Sequence, residues 1–391
     1  MRRIVVTTTA VLTLFAILGL SVGGWYYSSE ILAVPKAGEY NYTLTITDVD
    51  VAGETVTIDV QNSDAVTLPI VGLHTERGHV VLSGTPRFLE SETQRRATLL
   101  FGDWPQAGDA AAISVDVFDG DPLTTLNLPF DTVLVDGELG PMPAWQIIPP
   151  GSNTTTWAVL VHGRGAHRQS NNRYLPMLHD LGLPTLSVAI RNDPGVPSDP
   201  QGFGRFGFAE WRDLDAAISH LIENEGAENF ILVGSSQGAS VSLTFLRNST
   251  HADRVAGVVL ISPLISLDAT LVLAAQERGI LGPAIRPLLS AAKVVTRLRS
   301  GIVFSLLEHQ KHITDYPADL PFLITHGDKD QTVPFRPTPA FAAALGSRAV
   351  FVRYDQTGHV REWGTNRERF ESDVAEFISG DVLGLPQKRA S

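Results

Sequence analysis

Phe230-Ile231-Leu232-Val233 runs directly into Gly234-Ser235-Ser236-Gln237-Gly238, and Val241, Leu243, Phe245 and Leu246 continue at roughly helical spacing. A continuous apolar run, a turn with two glycines and then a helix read as a buried strand feeding a helix through a tight corner. Gly234 and Gly238 remove the side chains that would clash as strand and helix approach. The Ser236 hydroxyl then stands above the sheet at the positive end of the helix, where developing negative charge is stabilised. The five-residue pattern by itself is common in ordinary turns; the strand–turn–helix setting is what makes Ser236 a candidate nucleophile. Ser235 is the rival serine and occupies the first variable position of the motif.

A hydroxyl needs a base to take its proton and a third group to orient that base. Pro321-Phe322-Leu323-Ile324-Thr325-His326 reads as another buried strand, followed by a loop that carries Asp328 and Asp330 before Val333-Pro334. Arg348–Tyr354 reads as a further strand, with Gly358-His359 after it and a helix expected within Pro337–Leu345. Histidine suits a base because its ordinary pKa lies near neutrality. Trp157–Val161 reads as a strand ending in His162-Gly163-Arg164-Gly165. The backbone N–H groups of Arg164 and Gln237 are the natural donors to an oxyanion, with His162 expected as a structural residue of its turn.

These pieces come in one order, each after an expected strand, from about Phe130 to Phe377. The region resembles the α/β-hydrolase superfamily of serine hydrolases, with an esterase or lipase-like character. The resemblance implies the acid three residues before the Val-Pro pair, hence Asp330 rather than Asp328. It implies Ser236, Asp330 and His359 as catalytic residues, Gly234 and Gly238 as elbow glycines, and no cofactor or metal. Ala239 departs from the family pattern, which often has a second glycine there; alanine is small enough to keep the helix close.

From Val133 onward, buried strands alternate with helices, including strands at Pro184–Ile190 and Val255–Ile261 and a helix from near Glu210. This alternation implies a mostly parallel sheet covered on both faces, with the site at the carboxyl ends of its strands. Leu264 to about Asp315 interrupts that pattern with helical apolar spacing and reads as a cap. Its apolar content fits an acyl or lipid-like substrate, and equally an ordinary cap-to-core interface. Arg191-Asn192-Asp193-Pro194-Gly195 should lie on the catalytic edge, as a substrate-contacting or a salt-bridged loop. Glu308, His309 and His312 read as a helix face rather than a zinc site.

Between Tyr40 and Asp121 helical signals nearly vanish. Tyr42–Thr47 and Thr55–Val60 alternate with period two around Ala52-Gly53-Glu54, a hairpin, and further strands are expected at Val66–Val71, Val80–Ser83, Ala97–Phe101 and Ile113–Val117. The expected organisation is a small β-rich domain over residues 40–128, read as a sandwich, then a catalytic domain over 129–380 with its cap at 264–315, and a tail over 381–391. Before them, Met1-Arg2-Arg3 precedes an uncharged stretch from Ile4 to Ser29, apolar through Tyr27 and long enough to span a bilayer. Two arginines before it and Trp25-Tyr26-Tyr27 at its end fit a signal-anchor over residues 1–30 with the rest outside the cytoplasmic membrane. A cleaved signal peptide is the alternative. Ile31–Gly38 reads as a stalk, ending the appended segment at residue 39.

Net charge of −12 with no extended basic run argues against nucleic-acid binding. The absence of cysteine removes disulfides, thiolate catalysis and cysteine zinc sites. The expected function is an extracytoplasmic, membrane-anchored hydrolase of a small-molecule or lipid-like acyl ester. A peptidase, an acyltransferase and a non-catalytic tethered binding protein are the alternatives, and the sequence leaves the oligomeric state open.

Overall fold

The computed structural model describes residues 18–36, 40–59, 66 and 68–384. Its first β unit consists of β1 (Leu44–Asp50), β2 (Thr55–Ile58), β3 (Val71–Thr75), β4 (Gly78–Phe88), β5 (Thr93–Gly102) and β6 (Ala110–Ser114). The expected hairpin is there, with Asp50 opposite Thr55. The expected sandwich is not: β1 pairs with β6 as well as β2, and the strands close into a barrel in the order β1-β2-β5-β4-β3-β6. Closure pairs every edge and encloses a core that includes Ile46, Val56, Ile58, Leu73, Val80 and Leu82. Of the strand expected at Val66–Val71, only Val71 enters the ladder. The buried Arg95 guanidinium instead donates to the carbonyls of Val66, Leu68 and Pro69, so an arginine satisfies backbone that a strand would have paired.

The second sheet has eight strands: β7 (Asp131–Gly137), β8 (Gly140–Ile147), β9 (Thr156–Val161), β10 (Thr185–Ser187), β11 (Asn229–Ser235), β12 (Val255–Ile261), β13 (Phe322–Gly327) and β14 (Ala349–Tyr354). Their order is β14-β13-β12-β11-β9-β10-β8-β7, parallel from β14 to β10 and antiparallel at β8. The central strands β9 and β11 are buried along nearly their whole length, so their side chains feed two cores, one on each face. The sheet is therefore mostly parallel and doubly covered, as its sequence pattern implied.

Three helices crowd the edge where the strands end. One, α1, covers residues 18–32. The cap contributes two others, α4 (Leu267–Glu277) and α5 (Gly282–Ser300), taking α2 as Trp211–Glu225 and α3 as Gln237–Asn248. Ile31 and Leu32 of α1 are buried in one cluster with Phe206, Leu267, Ala292, Ile302, Phe304 and Val333. The segment expected as a free stalk is thus packed from its first residue, because two large apolar side chains there find an apolar cap to cover them. Most of the expected membrane span, up to residue 17, lies outside the described residues. Among the described residues no helix is long and apolar enough to cross a membrane. At the other end Val382 packs on Gly257, two residues inside the expected tail, and residues 385–391 lie outside the described residues.

Candidate active site

The corner between β11 and α3 shows why the motif needs its glycines. A Cβ on Gly234 would lie 2.7 Å from the Gly238 carbonyl oxygen and 2.8 Å from the Ala239 Cα, and one on Gly238 would collide with the Val161 carbonyl. Ala239 is fully buried against that strand, so a methyl group is tolerated one position later. Ser236 takes φ +53° and ψ −114°, a conformation costly for a residue with a Cβ and held here by its Ile261 hydrogen bond and the packed corner. Its hydroxyl faces away from the sheet at the start of α3.

Loops from distant parts of the chain converge on that hydroxyl. His359 Nε2 lies 2.9 Å from Ser236 Oγ, and His359 Nδ1 lies 2.6 Å from Asp330 Oδ2. Asp330 is buried, and its Oδ1 accepts from the backbone N–H groups of Thr332 and Val333, both at 2.8 Å. Burial alone would raise its pKa, but hydrogen bonds from His326 and His359 outweigh that and hold the carboxyl well below its usual range. Asp328, its rival, has a largely covered carboxylate that pairs through Oδ2 with the exposed Arg353 at 2.8 Å and takes no part in the histidine contacts. Ser235 lies buried on the strand side of the corner. The structure therefore brings together Ser236, His359 and Asp330, and leaves Ser235 and Asp328 outside the group.

Sequence reasoning missed His326. Its Nε2 lies 3.0 Å from Asp330 Oδ2 and its Nδ1 lies 2.7 Å from Thr338 Oγ1, so two imidazoles share one carboxylate oxygen. It is the penultimate residue of β13, four residues before the acid, and that short spacing was the available signal. Glu362 was missed as well. Fully buried behind the histidine loop, it accepts from Ser262 Oγ at 2.7 Å, and the same Oγ accepts from the Val360 N–H beside His359.

The turn Gly163-Arg164 lies over the nucleophile, close enough that a Cβ on Gly163 would come within 3.1 Å of Ser236 Cβ. Gln237 is the first residue of α3, where backbone N–H groups have no partner within the helix. His162 under this turn is buried, with Nε2 2.8 Å from Asp193 and Nδ1 2.9 Å from the Gly163 carbonyl. Burial disfavours charge on His162, and Asp193 more than reverses it, so its pKa is raised. Its bonds are structural, as expected. Arg191 is likewise committed, with a bidentate pair to the buried Asp213 at 2.6 and 2.9 Å; the loop is salt-bridged.

Two cavities meet at Arg164. A polar one is lined by His162, Gly163, Asn192, Gln237 and Pro35. An apolar one runs between α1 and the cap, past Phe206, Leu267, Leu271, Ala274, Leu288 and Leu289. Ser236 itself lines neither; the apolar cavity meets the nucleophile turn at Arg164 and the acid loop at Thr332. Glu308 and His309 were expected on an exposed helix face but are buried: Glu308 accepts from Ser266 Oγ and the Asp268 N–H, and His309 Nε2 contacts Ser240 Oγ at 2.8 Å, because both polar groups find partners where the cap packs on the core. No group of three or more metal-ligating side chains occurs among the described residues.

Residues 153–297 match the family model described as serine aminopeptidase, S33. An esterase from Pyrococcus furiosus, solved in several crystal forms, is similar in structure. One form gives a TM-score of 0.53 at 18% identity over 66% of this chain and 94% of the other. A second gives 0.52 at 20% identity over 67% and 96%. No curated protein matches the chain in sequence. The comparisons show the α/β-hydrolase fold for the region that carries the site and match its residues 153–297 to the serine aminopeptidase S33 model.

Proposed function

We propose that this protein hydrolyses a carboxylic ester with an apolar acyl group, from an N-terminal anchor that keeps the catalytic domain outside the cytoplasmic membrane. One observation carries the reading: the unbroken relay Asp330–His359–Ser236, at 2.6 and 2.9 Å, beneath a glycine-opened turn. Ser236 Oγ attacks the ester carbonyl carbon while His359 Nε2 takes its proton. Asp330 holds the imidazole in the tautomer whose Nε2 can accept, and stabilises the imidazolium that forms. The backbone N–H groups of Arg164 and Gln237 take the oxyanion. His359 returns the proton to the departing alcohol, and water, deprotonated by the same imidazole, releases the acid from Ser236. Every step uses groups of this chain, without a cofactor.

The apolar cavity favours an acyl ester over a peptide. An aminopeptidase needs an anion for the substrate ammonium, and Glu30 at this cavity is paired with Arg278 at 3.4 Å. The family description keeps the peptidase reading in view. Of the apolar N-terminal run, Ile4–Val22 precedes the first glycine packed on the cap, still about the 20 residues that a helix needs to cross a bilayer.

Intact-mass measurement of fluorophosphonate labelling, with hydrolysis of 4-nitrophenyl esters beside it, tests the reading on the full chain in detergent. A single adduct and ester turnover are expected, both absent from Ser236→Ala. Esterase activity retained in a clean preparation of that variant would sink it. Cleavage of aminoacyl arylamides without ester turnover would move the assignment to a peptidase.

A further inference from the structure

The segment that leads into the catalytic unit does more than connect. Along α1 the buried positions are Gly24, Ser28, Ile31 and Leu32, a stripe at helical spacing that lies against the cap. Gly23 and Gly24 let the backbones approach: a Cβ on Gly23 would come within 2.6 Å of the Leu288 side chain, and one on Gly24 within 3.1 Å of the Ala291 backbone. Arg299 of α5 donates to Ser28 Oγ at 3.1 Å and Ser29 Oγ at 2.8 Å, and stacks on Trp25.

The C-terminal end of α1 reaches the chemistry. The Arg164 guanidinium donates to the carbonyls of Ile31, at 3.1 Å, and Ala33, and it sits over the Phe206 ring. Gly204 N–H donates to the Leu32 carbonyl at 3.0 Å, and Pro35 rests against Gly165. The residue whose backbone N–H faces the oxyanion thus uses its side chain to clasp the last carbonyls of α1. Tyr27, Glu30 and Ile31 of the same helix form one wall of the apolar cavity, with Leu271, Leu288 and Leu289 opposite.

We infer that α1 is a specificity element of the active site: it forms the wall along which the acyl chain lies, and Arg164 couples its seating to the oxyanion turn. This rests on the serine-hydrolase reading. A cavity walled by α4 and α5 alone would be an open groove, and the methylene groups of a bound chain would stay wet on the α1 side. With α1 seated they are covered, and each covered methylene tightens binding. The ligand is a linear acyl or alkyl chain; the polar rim pair Glu30–Arg278 faces away from its terminal methyl group or meets a headgroup.

The test compares labelling rates of butyl and dodecyl fluorophosphonates on the full chain in detergent, a readout independent of turnover. In each, Ser236 Oγ bonds to phosphorus, fluoride leaves, and His359 takes the hydroxyl proton. Tyr27→Ala removes part of the wall, and Gly24→Leu lifts α1 from α5. Both are expected to lower the dodecyl-to-butyl ratio by about tenfold, the effect of uncovering two methylene groups; Gly24→Leu, which also loosens the Arg164 clasp on the oxyanion turn, is expected to slow butyl labelling as well. Leu288→Trp, from the opposite wall, should lower the same ratio by blocking the cavity. An unchanged ratio in Tyr27→Ala with normal butyl labelling overturns the inference, and this variant alone decides if Gly24→Leu fails to fold. Absence of butyl labelling in the unaltered protein overturns instead the serine-hydrolase reading beneath it.

Discussion

Ser236 can occupy its corner because Gly234 and Gly238, two positions to either side, lack side chains and the packed corner holds its own backbone at φ +53°. Gly238→Ala, which drives a methyl group into the Val161 carbonyl, is therefore expected to destabilise the fold by about 3 kcal/mol or more, read as a fall in thermal midpoint. The acid is decided by hydrogen bonds rather than by proximity in sequence. Asp330→Asn should cost about 10⁴ in kcat, because an amide fixes the wrong imidazole tautomer. Asp328→Asn, which weakens a pair with Arg353 but touches neither His359 nor Ser236, should leave ester hydrolysis near normal. Normal turnover by Asp330→Asn would transfer the role. The sequence named both aspartates, and the family pattern chose between them. His326 stayed hidden because its spacing of four from Asp330 does not say how the intervening loop folds back to bring the two side chains together.

Elements were legible wherever their pattern is local. The β1–β2 hairpin follows from period-two alternation around Gly53, and α2 and α3 from apolar spacing. Closure of the barrel was not legible, since it depends on pairing Leu44 with Ala111 across the whole unit. The barrel carries its own pH dependence. His79 is buried between β3 and β5, with Nε2 2.8 Å from the Val117 carbonyl and His74 beside it. Burial lowers its pKa from 6.5 to about 4. A depressed imidazole pKa favours the neutral form in the fold. Its contribution is complete above pH 6.5 and is lost as pH falls towards 4. Relative to His79→Gln, the unaltered protein should lose roughly 3 kcal/mol of stability between those limits, measured by denaturant unfolding at both. Parallel curves for the two proteins would refute this.

At the scale of the whole molecule, the N-terminal helix α1 joins the cap to the turn at Arg164. Leu18, Val22, Trp25 and Tyr26 on α1, and Val294 and Leu298 on α5, present exposed apolar side chains beside a cavity for an apolar chain. An enzyme held at a bilayer by this end would meet its substrate without the chain crossing water. The full chain is expected to float with phospholipid vesicles in a density gradient and to remain bound in high salt, because the attachment is apolar. Recovery from the aqueous fraction would remove the anchor from the proposal. A chain starting at Lys36 should lose the Ile31 and Leu32 packing, and with it several degrees of thermal midpoint, even though every catalytic side chain remains.

By itself the sequence determined the sheet-and-helix architecture of the α/β region, the corner at Ser236 and the chain order of Ser236, Asp330 and His359. Each of these is written in short-range signals: apolar runs of strand length, glycines where two backbones touch, and turn residues at strand ends. Tertiary structure alone decided that the β unit closes into a barrel, that His326 and Glu362 stand behind the acid and the histidine, and that the start of the expected stalk packs against the cap. Those outcomes depend on contacts between residues tens to hundreds of positions apart, such as Arg164 with Ile31 and Ser262 with Glu362. An apolar helix reads the same whether lipid or a cap covers it; only the surface opposite it distinguishes the two.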